Sequence, residues 1–144
     1  MDEEALLSLL EEGMRQHLLR SEGQTFQFAH PLIRHVFYHE PSAPRRQRIH
    51  QRIAATLERI HGDSLEAHVL EIAHHLVRAL PAADVTTVMK YARQAGNQAF
   101  SVFAWSEATR YYEAVLGAAE TSGILTTQDR ADLHCLAALA CLWD

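Results

Sequence analysis

The sequence predicts a mainly α-helical chain, in which a small helix–hairpin–helix subdomain leads into an antiparallel array of helices. Three observations predict it. Apolar residues recur at helical spacing through most of the 144 residues. Strand-like alternation is confined to one stretch, Thr25-Phe26-Gln27-Phe28, beside the glycine of Glu22-Gly23-Gln24. Small side chains gather where two successive helices would cross, with Ala92, Ala95, Gly96 and Ala99 on one and Ala108 on the next, and Tyr112 beside them to fill the space. Small residues let two antiparallel helices approach closely, so these segments form a unit that needs neighbours to bury its face.

The elements follow in order. Asp2 can cap a first helix carrying Leu6, Leu7, Leu10 and Met14, with Glu3 and Glu4 suited to its positive end. His17 to Ser21 and Thr25 to Ala29 read as two strands, with Gly23 supplying the turn. Pro31 suits the first turn of a short helix, Leu32 to Tyr38, whose Leu32, Ile33, Val36 and Phe37 form one stripe. Pro41 and Pro44 then break the chain.

From Arg45 onward the pattern is all helix. Ile49, Ile53, Leu57 and Ile60 are expected on one face of a helix ending at Ile60. Asp63 and Glu66 form a capping box for a helix carrying Leu65, Val69, Ile72, Ala73 and Leu76, which Pro81 stops. Asp84 caps the next helix, and after the hairpin of residues 89–122 Thr126-Thr127 opens a last one with Leu133, Leu136, Leu139 and Leu142.

Two parts are therefore expected: residues 1–62, outlined like a partial winged helix, and the array of residues 63–144. The last helix reaches Leu142-Trp143-Asp144 without a cap or a glycine, as in an array truncated within a repeat and belonging to something longer. Leu136, Leu139 and Trp143 then lack obvious cover, which predicts a homodimer of the isolated piece through that open helix.

Aligned as a 34-residue unit from Met89 to Ser122, the hairpin resembles a tetratricopeptide repeat. The two small positions fall on Gly96 and Ala108, the aromatic on Tyr112 and the late apolar position on Val115. It departs from the pattern at Ala92 and Ala99, where large aromatics are usual, and at Val115, where alanine is usual.

A longer order of motifs covers about residues 5–120. Phe26-Gln-Phe28-Ala-His30 runs on to Arg34 and Tyr38, followed by Arg45-Arg-Gln-Arg48-Ile-His50, then Ile72-Ala-His-His75, then the Ala-Gly pair at residue 95. This order resembles the region that follows the ATPase module in bacterial signalling ATPases of the STAND class, including ATP-dependent LuxR-type transcription regulators. The resemblance implies a winged-helix-like segment and tetratricopeptide-like helices acting as relay and docking surface between nucleotide state and output. Its partners would be the upstream ATPase module or a regulatory protein or peptide.

Composition narrows the function classes. A formal charge of −5 and a pI near 6.0 argue against a dedicated nucleic-acid binder. Cys135 and Cys141 are expected on nearly opposite sides of one helix, in its apolar core, which fits a reducing cytoplasm better than a disulfide framework. No apolar run reaches a membrane span, and Met1-Asp-Glu-Glu4 is no signal peptide. Lys90, in Met89-Lys90-Tyr91, is the single lysine, so no phosphate-binding Gly-Lys-Ser/Thr loop is encoded and no cofactor is expected.

Three sharper readings remain. His68, Glu71 and His75 share a helix face, and His35 and His39 stand four apart, yet neither metalloprotease spacing is present. His30, His50 and His75 are expected to hydrogen-bond backbone or to pack between helices. No Gly-x-Ser-x-Gly elbow supports nucleophilic catalysis. Arg45, Arg46, Arg48, Arg52 and Arg59 make one helix basic, and in a DNA-contacting reading the first four would meet phosphates. Against it stand Glu3, Glu4, Glu11 and Glu12, which would repel a nucleic-acid backbone or pair with Arg45 and Arg46. Tyr111 and Tyr112 are expected in inter-helix packing, with Trp105 over the end of the core. The expected function is non-catalytic interaction and relay.

Overall fold

The computed structural model describes residues 3–23, 25–62, 64–123 and 125–143. It divides into two compact units, Met1–Ser42 and Ala43–Asp144. The fold is mainly helical with one two-stranded hairpin, the architecture read from the sequence.

In the first unit, helix α1 (Glu3–Arg15) carries Glu3 and Glu4 in its first turn and Arg15 in its last, each sign complementing the helix dipole. The cap expected at Asp2 lies outside the described residues. His17 leaves the helix at φ 56°. Strands β1 (Leu19–Glu22) and β2 (Thr25–Phe28) pair antiparallel with Leu19 opposite Phe28 and Ser21 opposite Phe26. Gly23 turns the chain at φ 63°, a conformation that costs glycine little. Helix α2 (Pro31–His39) has its proline in the first turn, and the His30 Nδ1 caps it by accepting the Leu32 N–H at 3.1 Å.

The second unit is a chain-ordered array. Helix α3 (Ala43–Ile60), a 3₁₀ turn (Leu65–His68), and helices α4 (Val69–Arg78), α5 (Val85–Ser101), α6 (Trp105–Ser122) and α7 (Thr127–Leu142) follow in order. Each helix packs chiefly on its neighbour in the chain. Ile72, Val88, Tyr112, Val115 and Leu133 are the largest fully buried side chains. The Asp84 carboxylate accepts the Thr87 N–H at 2.8 Å, and the Thr126 hydroxyl accepts the Asp129 N–H at 3.1 Å, so both sequence-read caps form. Gly123, at φ 66°, ends α6. The capping box expected from Asp63 lies outside the described residues; Ser64 precedes a 3₁₀ turn, and Leu65 belongs to that turn rather than to the α-helix.

Several expectations change. The units divide at Ser42 and Ala43, not at residue 62, because α3 packs on α4 through buried His50 and Ala54. Pro44 does not delay α3, since its missing N–H falls in the first turn where no intrahelical bond is needed. The buried face of α3 is rotated from the expected isoleucine stripe: Ile49 and Ile60 are 42% and 61% exposed. Cys135 and Cys141 are exposed free thiols rather than core residues, because α7 buries Leu133 and Ala140 instead. Among the described residues no helix is long and apolar enough to cross a membrane.

Candidate interaction surfaces

Helices α5 and α6 share the most extensive contact in the array. Ala92, Ala95, Gly96, Ala99, Ala108, Tyr112 and Val115, the residues picked out for repeat packing, are all buried. A Cβ placed on Gly96 would stand 2.6 Å from Tyr112 Cε1, so any other side chain there would force the ring to shift. The ring is fixed from its far end, where the Tyr112 hydroxyl donates to Asn97 Oδ1 at 3.0 Å.

Two tyrosines also reach past a neighbouring helix to the one before it. The Tyr111 hydroxyl on α6 donates to the Leu70 carbonyl on α4 at 3.1 Å. Tyr91 on α5 faces Glu58 on α3, and burial followed by that carboxylate pushes its phenol up to about 12. Burial also raises Tyr111 and Tyr112. Tyr111 is 2% exposed and packs between helices, as expected. Trp105 is half-buried, with edge contacts to Phe100 and Phe103 at 5.0 and 5.4 Å.

Between α3 and α4 the structure brings together two residues of the sequence motifs. His50 Nδ1 and His75 Nδ1 stand 2.8 Å apart, so one ring donates Nδ1–H to the bare Nδ1 of the other. Burial first, then His75, Arg78, His74 and Arg46, push His50 down from 6.5 to about 4. Burial lowers His75 as well, against the opposing pull of Glu71. Of His68, Glu71 and His75, His75 is thereby taken up by His50, while His68 stacks on His61 at 3.5 Å and stays 3.7 Å from Glu71. His35 and His39 stand with ring centroids 4.4 Å apart. Among the described residues no three His, Cys, Asp or Glu side chains are grouped to hold a metal.

In the first unit, the motif residues Phe26 and Phe28 lie on one face of the hairpin with Leu19, while Arg20, Glu22 and Gln27 bond one another on the other. The apolar face opens on a cleft of about 510 Å³ bordered by Leu9, Leu10, Phe26, Phe28 and Phe37. A second cleft, about 450 Å³, sets exposed Arg34 with Arg20 beside the same phenylalanines. Phe28 stacks on Phe37 at 6.0 Å, and Tyr38 stands edge-on to His39 at 5.1 Å. Not one described residue of this unit is buried, and Leu32 and Val36 of the α2 stripe lie open.

Helix α3 carries the last surface. Arg45, Arg48, Arg52 and Arg59 are exposed, while Arg46 is half-buried toward the histidine pair. At 3.6 residues per turn the four exposed arginines fall within about 60° of arc, opposite His50 and Ala54. Their common arc follows from spacing alone; that it points away from the core was missed because the buried face was expected on Ile49, Ile53, Leu57 and Ile60 rather than on His50 and Ala54. The His50–His75 and Tyr91–Glu58 pairs carry no sequence signal, as each joins residues far apart in the chain. Comparisons with protein-family models, curated proteins and solved structures found no match.

Proposed function

We propose that this chain is a non-catalytic protein-interaction and relay segment of a larger ATP-dependent bacterial regulator. The observation that carries the reading is the first unit's open apolar face. A unit that buries none of its described residues, yet gathers Leu9, Leu10, Phe26, Phe28 and Phe37 around one cleft, gains most of its stability when another protein surface covers that cleft. The array supports the same reading, since its helices are tied in register by Tyr91, Tyr111 and Tyr112 and can pass a displacement along the chain. The motif order from Phe26 to His75 supplies the ATPase module as the covering partner, and transcriptional control as the output. A second reading, direct DNA contact, rests on the arginines of α3.

The test has two steps. The genomic frame upstream is read for an in-frame Gly-x-x-x-x-Gly-Lys-Ser/Thr, and the whole product is then followed by hydrogen exchange with and without ATP. Protection of Leu6 to Phe37 that changes with nucleotide supports the relay. A stop codon directly upstream, or exchange in this segment indifferent to nucleotide, overturns it.

A further inference from the structure

The outward face of α3 is basic in an acidic chain. Arg45, Arg48, Arg52 and Arg59 repeat at intervals of three, four and seven residues and span about 21 Å of helix at 1.5 Å per residue. No ion pair involves any of the four among the described residues. Glu58, the single acid of the helix, is half-buried and turned toward Tyr91, so the exposed face carries no carboxylate. Like charges three and four residues apart destabilise a helix, and nothing within α3 relieves the repulsion. Such a face becomes favourable when a partner supplies the missing anions.

We propose that this face is a docking strip for an acidic amphipathic helix of a protein partner, its carboxylates repeating every three or four residues to meet Arg45, Arg48, Arg52 and Arg59. Two observations favour a protein helix over a duplex. Ile49 and Ile60, 42% and 61% exposed, flank the arginines on one side and offer apolar anchorage that a phosphate backbone cannot use. The chain's formal charge of −5 repels a nucleic acid, whose phosphates extend beyond the strip, whereas a helix confines its charge to the contact. Arginine suits the role because its planar fork meets a carboxylate with two parallel hydrogen bonds. The strip specifies a partner chemistry for the interaction role and rests on that reading.

The experiment measures fluorescence anisotropy of a labelled alanine-rich helical peptide carrying glutamate at three- and four-residue spacing with leucines alongside. It is titrated with the whole chain at about 50 and about 300 mM salt. Three competitors run in parallel: the glutamine version of the peptide, a proline-containing scramble of equal charge, and a labelled DNA duplex. Saturable binding of the glutamate helix is expected, weakened about tenfold by Arg48→Gln with Arg52→Gln and weakened by salt. Both arginines are exposed and glutamine keeps helix propensity, so circular dichroism of the variant should match the parent. Equal binding by the variant, equal binding of the scramble, or no binding of the glutamate helix overturns the strip. Tighter binding of the duplex than of the peptide overturns it in favour of phosphate contact. Tighter duplex binding would also support the DNA-contact reading; the other failures leave the relay reading to the upstream frame and the response to nucleotide.

Discussion

His50 and His75, 25 residues apart, meet through their Nδ1 atoms at 2.8 Å and join α3 to α4. The bond needs a bare nitrogen on one ring. A first proton can be held between the two Nδ1 atoms, but a second leaves two donors facing each other. Arg46, His74 and Arg78 add positive charge to the surroundings, with Glu71 opposing it at His75.

Stability against pH follows from the sign of these shifts. His50 is held down at about 4 from 6.5, so between those values the unfolded chain binds more protons than the folded one. The contribution is complete above about pH 6.5 and is lost as pH falls toward 4. The 6.5-to-4 depression corresponds to about 3 kcal/mol. Urea midpoints measured from pH 7.5 to 4.5 should fall with acid, and a His50→Gln variant should show a visibly shallower slope. Parallel slopes in the two proteins would assign the acid sensitivity elsewhere.

Gly96→Ala should destabilise the array although alanine is the better helix former. The added methyl would sit 2.6 Å from Tyr112 Cε1, and that ring is fully buried and tied to Asn97. The clash outweighs a helix-propensity gain of about 1 kcal/mol and leaves a net loss of about 1–3 kcal/mol. Combining the change with Tyr112→Leu tests the cause. If Tyr112 is the obstacle, the double variant loses less than the sum of the two singles; strict additivity in thermal unfolding would place the strain elsewhere.

These pairs show what was legible in the chain and what was not. Asp84, Thr126 and the Gly96–Tyr112 approach could be read directly, because a cap is a local arrangement and a small residue opposite an aromatic is a steric pattern. The helix, hairpin and array order followed from the same local signals. The face that α3 buries could not be read, because its isoleucines and its His50–Ala54 edge are both apolar enough and α4 decides between them. The exposed Cys135 and Cys141 are the same lesson, since a helix apolar all round does not announce which stripe its neighbour covers. The placing of Glu58 before Tyr91 depends on how far one helix has turned past another, which no single segment encodes.

Tyrosine ionisation should report the intact array. Tyr91 is pushed up to about 12 from 10.0 by burial and then by Glu58, and burial raises Tyr111 and Tyr112 in the same direction. The folded state therefore favours the neutral phenols. Their contribution is complete below pH 10 and is lost as pH climbs through the raised values. Tyrosinate absorbance from these three should appear together with the loss of helical dichroism, in one transition. Ionisation of Tyr91, Tyr111 and Tyr112 while the helices persist would contradict the packing described.

Thr109 on α6 carries a buried hydroxyl with no hydrogen-bond partner among the described residues. A threonine inside a helix usually satisfies its Oγ1 by bonding a carbonyl in the preceding turn, so this oxygen is desolvated without recompense. Valine has nearly the same shape and lacks the hydroxyl, and it is β-branched like threonine, so the rotamer restriction in the helix hardly changes. Thr109→Val should therefore stabilise the chain by about 1 kcal/mol, seen as a higher urea midpoint at unchanged slope. A lower midpoint would mean that the oxygen has a partner in solution, an ordered water being the first to look for, and that removing it breaks a bond rather than relieving a vacancy.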